Sequence, residues 1–226
     1  MATIAENLQA VRARIGRAAK AARRDAHGVT LLAVSKTHGS SRVAEARAAG
    51  QAAFGENYVQ EAIEKMAAVP ALEWHLIGPL QSNKTRVVAE RFQWVQTVDR
   101  EKIAKRLSEQ RPALLPALNV LIQVNASREQ SKSGIPLNEA RALARVVAAL
   151  PHLKLRGLMS IPEPGAARER YAEVRAIYDE LKTEFGFDTL SMGMSDDLEM
   201  AIAEGATMVR VGTAIFGQRR KEKDAA

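Results

Sequence analysis

The chain has 226 residues, 46% hydrophobic and 26% charged, a composition that favours one folded domain and excludes extensive disorder. Its formal net charge of +7 does not mark a nucleic-acid surface, because residues 1–25 and 218–226 hold all but one of the excess charges and the body is close to neutral. The absence of cysteine excludes disulfide scaffolds, thiolate nucleophiles and cysteine-ligated metal centres, and no metal site is expected.

Residues 1–10 carry Glu6 and no apolar leader core. The longest uncharged run, 112–127, is interrupted by Pro112, Pro116, Asn119, Gln123 and Asn125. Neither secretion nor membrane spanning is therefore expected, and the protein is read as cytoplasmic. No linker or low-complexity stretch divides the chain, so 1–226 is taken as a single domain with an N-terminal helix within 1–25 and a charged tail at 218–226. In the first segment, 4–24, Ile4, Leu8, Val11 and Ile15 recur at helical spacing, with Arg12, Arg14, Arg17 and Arg23 mostly on other faces. This is an amphipathic helix whose basic face is expected to be solvated.

After it, short runs rich in Val, Ile and Leu alternate with amphipathic stretches, as a parallel sheet with helical crossovers requires. Strands are predicted at 30–35, 52–55, 73–77, 94–98, 119–125, 155–160, 189–192 and 208–211. Helices are predicted at 41–49, 58–68, 83–91, 100–110, 137–150, 167–185 and 196–203, with Gly50, Gly186 and Gly205 following three of them as C-cap residues. About eight strands close a barrel. An open doubly wound sheet would normally begin on a strand followed by G-x-G-x-x-G, which is absent. The expected fold is an α/β, single-domain (β/α)8 TIM barrel with an extra N-terminal helix, its chemistry on the loops that follow the strands.

Lys36 ends the apolar run Leu31-Leu32-Ala33-Val34-Ser35 and would stand at the barrel mouth, where desolvation favours the neutral, nucleophilic amine; taken alone it reads more readily as a snorkelling strand-end lysine. The second strand runs into Gly55-Glu56-Asn57 and the third through His75 into Gly78-Pro79-Leu80-Gln81-Ser82-Asn83-Lys84. Here Asn57 and Asn83 have alternative readings as helix caps, and His75 as a hydrogen-bonded core residue. The seventh strand leads into Gly193-Met194-Ser195-Asp196-Asp197 and the eighth into Arg210-Val211-Gly212-Thr213. Ser195 or Asp196 could cap the next helix, yet in a barrel these two loops form the usual phosphate site, a role that suits the hydroxyls of Ser195 and Thr213 and the amides of Gly212 and Thr213. A lysine nucleophile, phosphate donors and a nearby arginine describe a site for a phosphorylated aldehyde, and pyridoxal 5′-phosphate is the natural candidate.

The stretches Ala33-Val34-Ser35-Lys36-Thr37, Phe54-Gly55-Glu56-Asn57-Tyr58-Val59-Gln60-Glu61, His75-Leu76-Ile77-Gly78-Pro79-Leu80-Gln81-Ser82-Asn83-Lys84, Ser191-Met192-Gly193-Met194-Ser195-Asp196-Asp197 and Arg210-Val211-Gly212-Thr213-Ala214-Ile215-Phe216-Gly217 together resemble the pyridoxal phosphate homeostasis proteins, relatives of the N-terminal barrel of alanine racemase. The resemblance covers essentially the whole chain. It implies Lys36 as the Schiff-base lysine, Ser195, Gly212 and Thr213 on the phosphate, Arg210 facing the pyridine nitrogen, and Asn57 and His75 as pocket residues. Ser131-Lys132-Ser133-Gly134 also resembles a family motif, in which a lysine near the pocket would handle cofactor in transit; a plain surface lysine is the alternative. The chain departs from the family at His38 and Gly39, and at Gln218-Arg219-Arg220.

Three functions are weighed. A pyridoxal phosphate-dependent amino acid racemase needs a proton acceptor on each face of the substrate, and racemases of the resembled fold take the second, a tyrosine, from another domain. Here Tyr171 and Tyr178 fall on a predicted outer helix, and Tyr58, which follows Asn57, has a reading as a core residue. An arginine opposite the pyridine nitrogen should keep it unprotonated, a weak electron sink that suits holding rather than transforming. The resemblance points the same way and implies a binder that stores or delivers pyridoxal phosphate, with an indirect effect on amino acid and keto acid balance; the expectation is a non-enzymatic monomer with apo pyridoxal phosphate enzymes as partners. A nucleic-acid module is disfavoured because only 4% of residues are aromatic, and no membrane partner is expected.

Overall fold

The computed structural model describes residues 2–127, 133–163 and 165–218. The chain begins with α1 (Ile4–Ala21) and then alternates: β1 (Thr30–Val34), α2 (Ser40–Ala48), β2 (Ala53–Glu56), α3 (Val59–Ala68), β3 (Glu73–Leu76), α4 (Thr85–Arg91), β4 (Trp94–Val98), α5 (Glu101–Gln110), β5 (Leu118–Asn125), β6 (Ile135–Pro136), α6 (Ala140–Ala148), β7 (Leu153–Ser160), α7 (Arg168–Phe185), β8 (Thr189–Ser191), α8 (Leu198–Ala203), β9 (Met208–Val211) and α9 (Thr213–Phe216). The strands pair in parallel in the order β4-β3-β2-β1-β9-β8-β7-β5, and a β4–β5 pairing closes the ring. Eight strands thus form a (β/α)8 barrel with an additional N-terminal helix. The two-residue β6, which the apolar pattern did not disclose, lies beside the end of β5.

The predicted strands differ from the observed ones by two residues at most at either end. Helix starts differ more informatively, since 82–84 and 137–139 form 3-10 turns before α4 and α6 begin. Gly50, Gly186 and Gly205 all take positive φ just past a helix, as a C-terminal turn demands.

The predicted apolar stripe of α1 is buried, with Ile4, Leu8, Val11 and Ile15 inside, and the helix packs on α8, α9 and α2. Its basic face is not simply solvated. Arg14 pairs with Glu199 at 2.7 Å and donates to the Ser195 carbonyl at 2.9 Å, while Arg12 donates to the carbonyls of Ala49 and Gly50 at the end of α2. The arginines dock the helix on the barrel because the last carbonyls of a neighbouring helix and a nearby carboxylate need donors.

A site at the barrel mouth

Lys36, Asn57, Ser195, Arg210, Gly212 and Thr213 converge on one cavity of about 250 Å³ at the C-terminal ends of the strands, with Val34, Ile77, Ile161, Met194 and Asp196 completing its wall. A second cleft of about 300 Å³ shares Asn57, Ile77, Ile161 and Met194 and extends the space toward Pro79 and Gln123. Lys36 and Asn57 are half-buried. Arg210 is buried and is held by a hydroxyl and a carbonyl rather than a carboxylate: its two terminal nitrogens donate to Ser191 Oγ at 2.9 Å and to the Ser160 carbonyl at 2.8 Å. Burial pushes its pKa down to about 10, opposed by Asp197 and Tyr171, so at neutral pH it remains a cation facing the cavity.

The mouth has this shape because of two glycines. A Cβ on Gly78 would sit 2.1 Å from the Asn57 carbonyl, so only glycine lets the end of β3 approach Asn57. Gly193 has φ +93°, and a Cβ there would meet Ala201 at 2.5 Å. The turn it makes brings Ser195 to the cavity wall, where its hydroxyl accepts from the Ala214 amide at 3.4 Å. Neither Ser195 nor Asp196 caps α8: the helix begins at Leu198, and the Asp197 carboxylate accepts instead from the Met194 amide and from the Tyr171 hydroxyl. Asn57 and Asn83 are not caps either, since α3 follows Tyr58 and α4 follows Lys84, both without a side-chain cap bond.

His75 is not among the residues lining the cavity. It lies fully buried inside the barrel, stacked on Trp94 with ring centroids 5.0 Å apart. Its Nε2 is 2.9 Å from Glu73 Oε1 and its Nδ1 2.9 Å from Gln96 Nε2. Burial lowers its pKa, outweighing Glu73. Of the tyrosines, Tyr58 is 61% exposed rather than core, and Tyr171 and Tyr178 pack the inner face of α7. Lys132 and residues 219–226 lie outside the described residues.

Two groups of residues went unassigned in the sequence reading. Behind Lys36, Lys65 Nζ donates to the Ser35 carbonyl at 2.6 Å, to Glu56 at 2.7 Å and to Glu61 at 2.6 Å, while Glu61 accepts from the Thr37 amide at 2.6 Å. Thr37 holds φ +66°, a costly conformation for a β-branched residue, and its amide is held by Glu61 of this cluster, directly after Lys36. Burial lifts Glu56 to about 7, restrained by Lys65 and the Ser35 hydroxyl. The available signal was the i,i+4 pair Glu61 and Lys65 next to the Gly55-Glu56-Asn57 turn. The second group is Gln96 and Ser191, and for Gln96 the signal was a lone amide at the same parity as Trp94 on an otherwise buried strand.

Residues 6–220 match the family model described as the N-terminal domain of alanine racemase. The chain is 60% identical over 225 residues to the pyridoxal phosphate homeostasis protein of Pseudomonas aeruginosa, covering 97% of each chain. It is 56% identical over 233 residues to the protein of that description from Escherichia coli K12, covering 99% of this chain and 100% of that one. Among solved structures it is similar to PipY of Synechococcus elongatus with PLP bound, at a TM-score of 0.83 and 38% identity, covering 95% of this chain and 100% of that one.

Proposed function

The chain belongs to the pyridoxal phosphate homeostasis family, within the group built on the N-terminal domain of alanine racemase, and from that membership we propose that it binds pyridoxal 5′-phosphate at the barrel mouth and serves to hold and deliver it. The observation that carries the reading is the convergence of an amine, a buried cation hydrogen-bonded to neutral oxygens and two hydroxyls on a single cavity. That donor set fits the cofactor group by group. Ser195, Gly212 and Thr213 would take the phosphate, Arg210 the ring nitrogen, and Lys36 the aldehyde, with Asn57 beside the ring.

When bound, the cofactor supplies an aldehyde that condenses with an amine with loss of water. The protein's own part is to aim and to restrain. The Glu56–Lys65–Glu61 cluster fixes the turn that carries Lys36. Arg210 can only donate, so a ring nitrogen against it must accept and stay unprotonated, which keeps the ring a poor stabiliser of carbanions. Among the described residues no tyrosine lines the cavity to serve as a second base. Tyr171 gives its hydroxyl to Asp197 at 2.5 Å, and burial raises its pKa above the ordinary value. These features favour a carrier over a racemase, with effects on amino acid and keto acid balance arising indirectly through the enzymes supplied.

The reading extends to a cytoplasmic monomer acting as one domain, with apo pyridoxal phosphate enzymes as recipients and neither nucleic acid nor membrane as partner. Among the described residues no helix is long and apolar enough to cross a membrane. The test is to load the purified protein with pyridoxal phosphate, reduce it with borohydride and map the pyridoxyl group by peptide mass. A label on Lys36 that disappears in Lys36→Ala supports the reading. A label mainly on Lys84 or Lys132 with Lys36 unmodified overturns the assignment.

A further inference from the structure

The barrel interior holds a continuous hydrogen-bonded chain whose direction is settled at its two ends, by a guanidinium that can only donate and a carboxylate that can only accept. A guanidinium has donors and no acceptor, so Ser191 Oγ must accept from Arg210, at 2.9 Å. The single hydroxyl hydrogen of Ser191 then goes to Gln96 Oε1 at 2.7 Å. The Gln96 amide nitrogen is thereby turned toward His75 Nδ1 at 2.9 Å and Met208 Sδ at 3.1 Å, both of which can accept. With Nδ1 accepting, the imidazole proton sits on Nε2 and is donated to Glu73 Oε1 at 2.9 Å. Every donor points from the mouth toward the opposite end of the barrel, where Glu73 is half exposed, and aligned bonds of this kind polarise one another. Reversing any one of them sets two donors or two acceptors face to face.

We propose that Gln96 is a positioning residue for the cofactor: by holding the Ser191 hydroxyl in its accepting posture, it fixes the edge that Arg210 presents to the ring nitrogen. The inference rests on the pyridoxal phosphate reading and deepens it. Ser191 is the intermediary, and His75 acts two bonds further back by fixing the Gln96 amide. This explains a histidine buried below the cavity with no contact to it. Replacing Gln96 leaves the Ser191 hydrogen without its acceptor, lets the hydroxyl turn, and leaves the Ser160 carbonyl as the one fixed partner about which the guanidinium can pivot.

The test compares the dissociation constants of pyridoxal phosphate and of an analogue with carbon in place of the ring nitrogen and the same aldehyde and phosphate. Gln96→Leu and Ser191→Ala should each lose about tenfold in affinity for pyridoxal phosphate, the scale of one hydrogen bond to a charged group, while holding the carbon analogue as the wild type does. Ser191→Thr, which keeps a hydroxyl, should retain the wild-type preference. In the protein without cofactor, nitrogen-15 NMR should find His75 neutral with its proton on Nε2. Gln96→Glu, which presents only acceptors, should draw a second proton onto Nδ1. Equal losses toward both ligands, an unchanged preference in Gln96→Leu, or a His75 proton on Nδ1 in the wild type would each overturn the inference alone. A wild type that takes up neither molecule overturns the cofactor reading and the inference with it.

Discussion

Two buried polar systems support the mouth of this barrel, and they are built on opposite plans. Inside the barrel, between the half-exposed Glu73 and the cation of Arg210, the connection runs through neutral dipoles: His75, Gln96 and Ser191. Outside the ring, between the sheet and α3, the ends of β1 and β2 are held by ionisable groups, the Lys65 ammonium at 4% side-chain exposure with Glu61 and with Glu56 at 0%, whose carboxyl ionises at about 7. The interior system transmits orientation over several residues, because each hydrogen bond dictates the next. The ionic one acts locally, because one ammonium group gathers the Ser35 carbonyl and two carboxylates around the backbone of Lys36. A dipole chain tolerates the loss of a link by local rotation, whereas a buried ionic cluster that loses its cation leaves like charges facing each other in a low dielectric.

The largest effect should therefore come from Lys65→Met. Removing one partner of a buried ion pair typically costs about 3–5 kcal/mol, and here Glu56 and Glu61 would both lose their counter-ion. Urea denaturation should show that loss, and Glu56→Gln in the same background should recover part of it by removing one of the facing carboxylates. A loss below about 1 kcal/mol, the scale of an exposed pair, would place the cluster among solvent-screened ion pairs.

Ser191→Ala should cost less, about 1–3 kcal/mol, the range for leaving a buried partner unsatisfied. Arg210 keeps the Ser160 carbonyl, and Gln96 keeps its bonds to His75 and Met208. If this variant proved as destabilised as Lys65→Met, the distinction between dipole chain and charge cluster would collapse.

The contrast also explains what could be read from the sequence. Parallel strands buried on both faces appear as unbroken apolar runs, so the barrel and its strand ends are legible, and the candidate residues at those ends, Lys36, Ser195, Arg210, Gly212 and Thr213, do meet in one cavity. Gln96 and Ser191 were missed because an inward polar residue on a strand has no partner in its own segment. Its partners stand on β3, β8 and β9, at sequence separations of 21, 95 and 112 residues. His75 is a pocket residue only by the resemblance; two residues before Ile77, it shares that residue's parity and points inward beneath it, in line with its reading as a hydrogen-bonded core histidine. The helix-cap readings failed at Asn57, Asn83 and Ser195 because the helices there start one or two residues late, which leaves those side chains outside any capping bond.

The sharpest test of the comparison is in the pH dependence of stability, where the two systems have opposite signs. The carboxyl of Glu56 is raised from 4.5 to about 7, so between those values the folded protein holds a proton that the unfolded chain has released; its contribution to stability falls as pH rises through that window. His75 is lowered from 6.5, so below that value the unfolded chain takes up a proton that the folded protein refuses; its contribution falls as pH drops. Each slope is bounded by one proton, about 1.4 kcal/mol per pH unit, and where the windows overlap the two largely cancel in the wild type. Single substitutions should uncover them. Relative to wild type, Glu56→Gln should gain stability as pH rises from 5 toward about 7, because the penalty of ionising Glu56 is gone. His75→Gln, which can still accept from Gln96 and donate to Glu73, should gain relative stability as pH falls below about 6.5. Urea midpoints at pH values across this interval, read as differences from wild type so that groups common to both proteins cancel, would show two lines of opposite slope. Parallel lines would mean that the charge state of one system is tied to the other, and that the clamp behind Lys36 and the chain behind Arg210 are a single network.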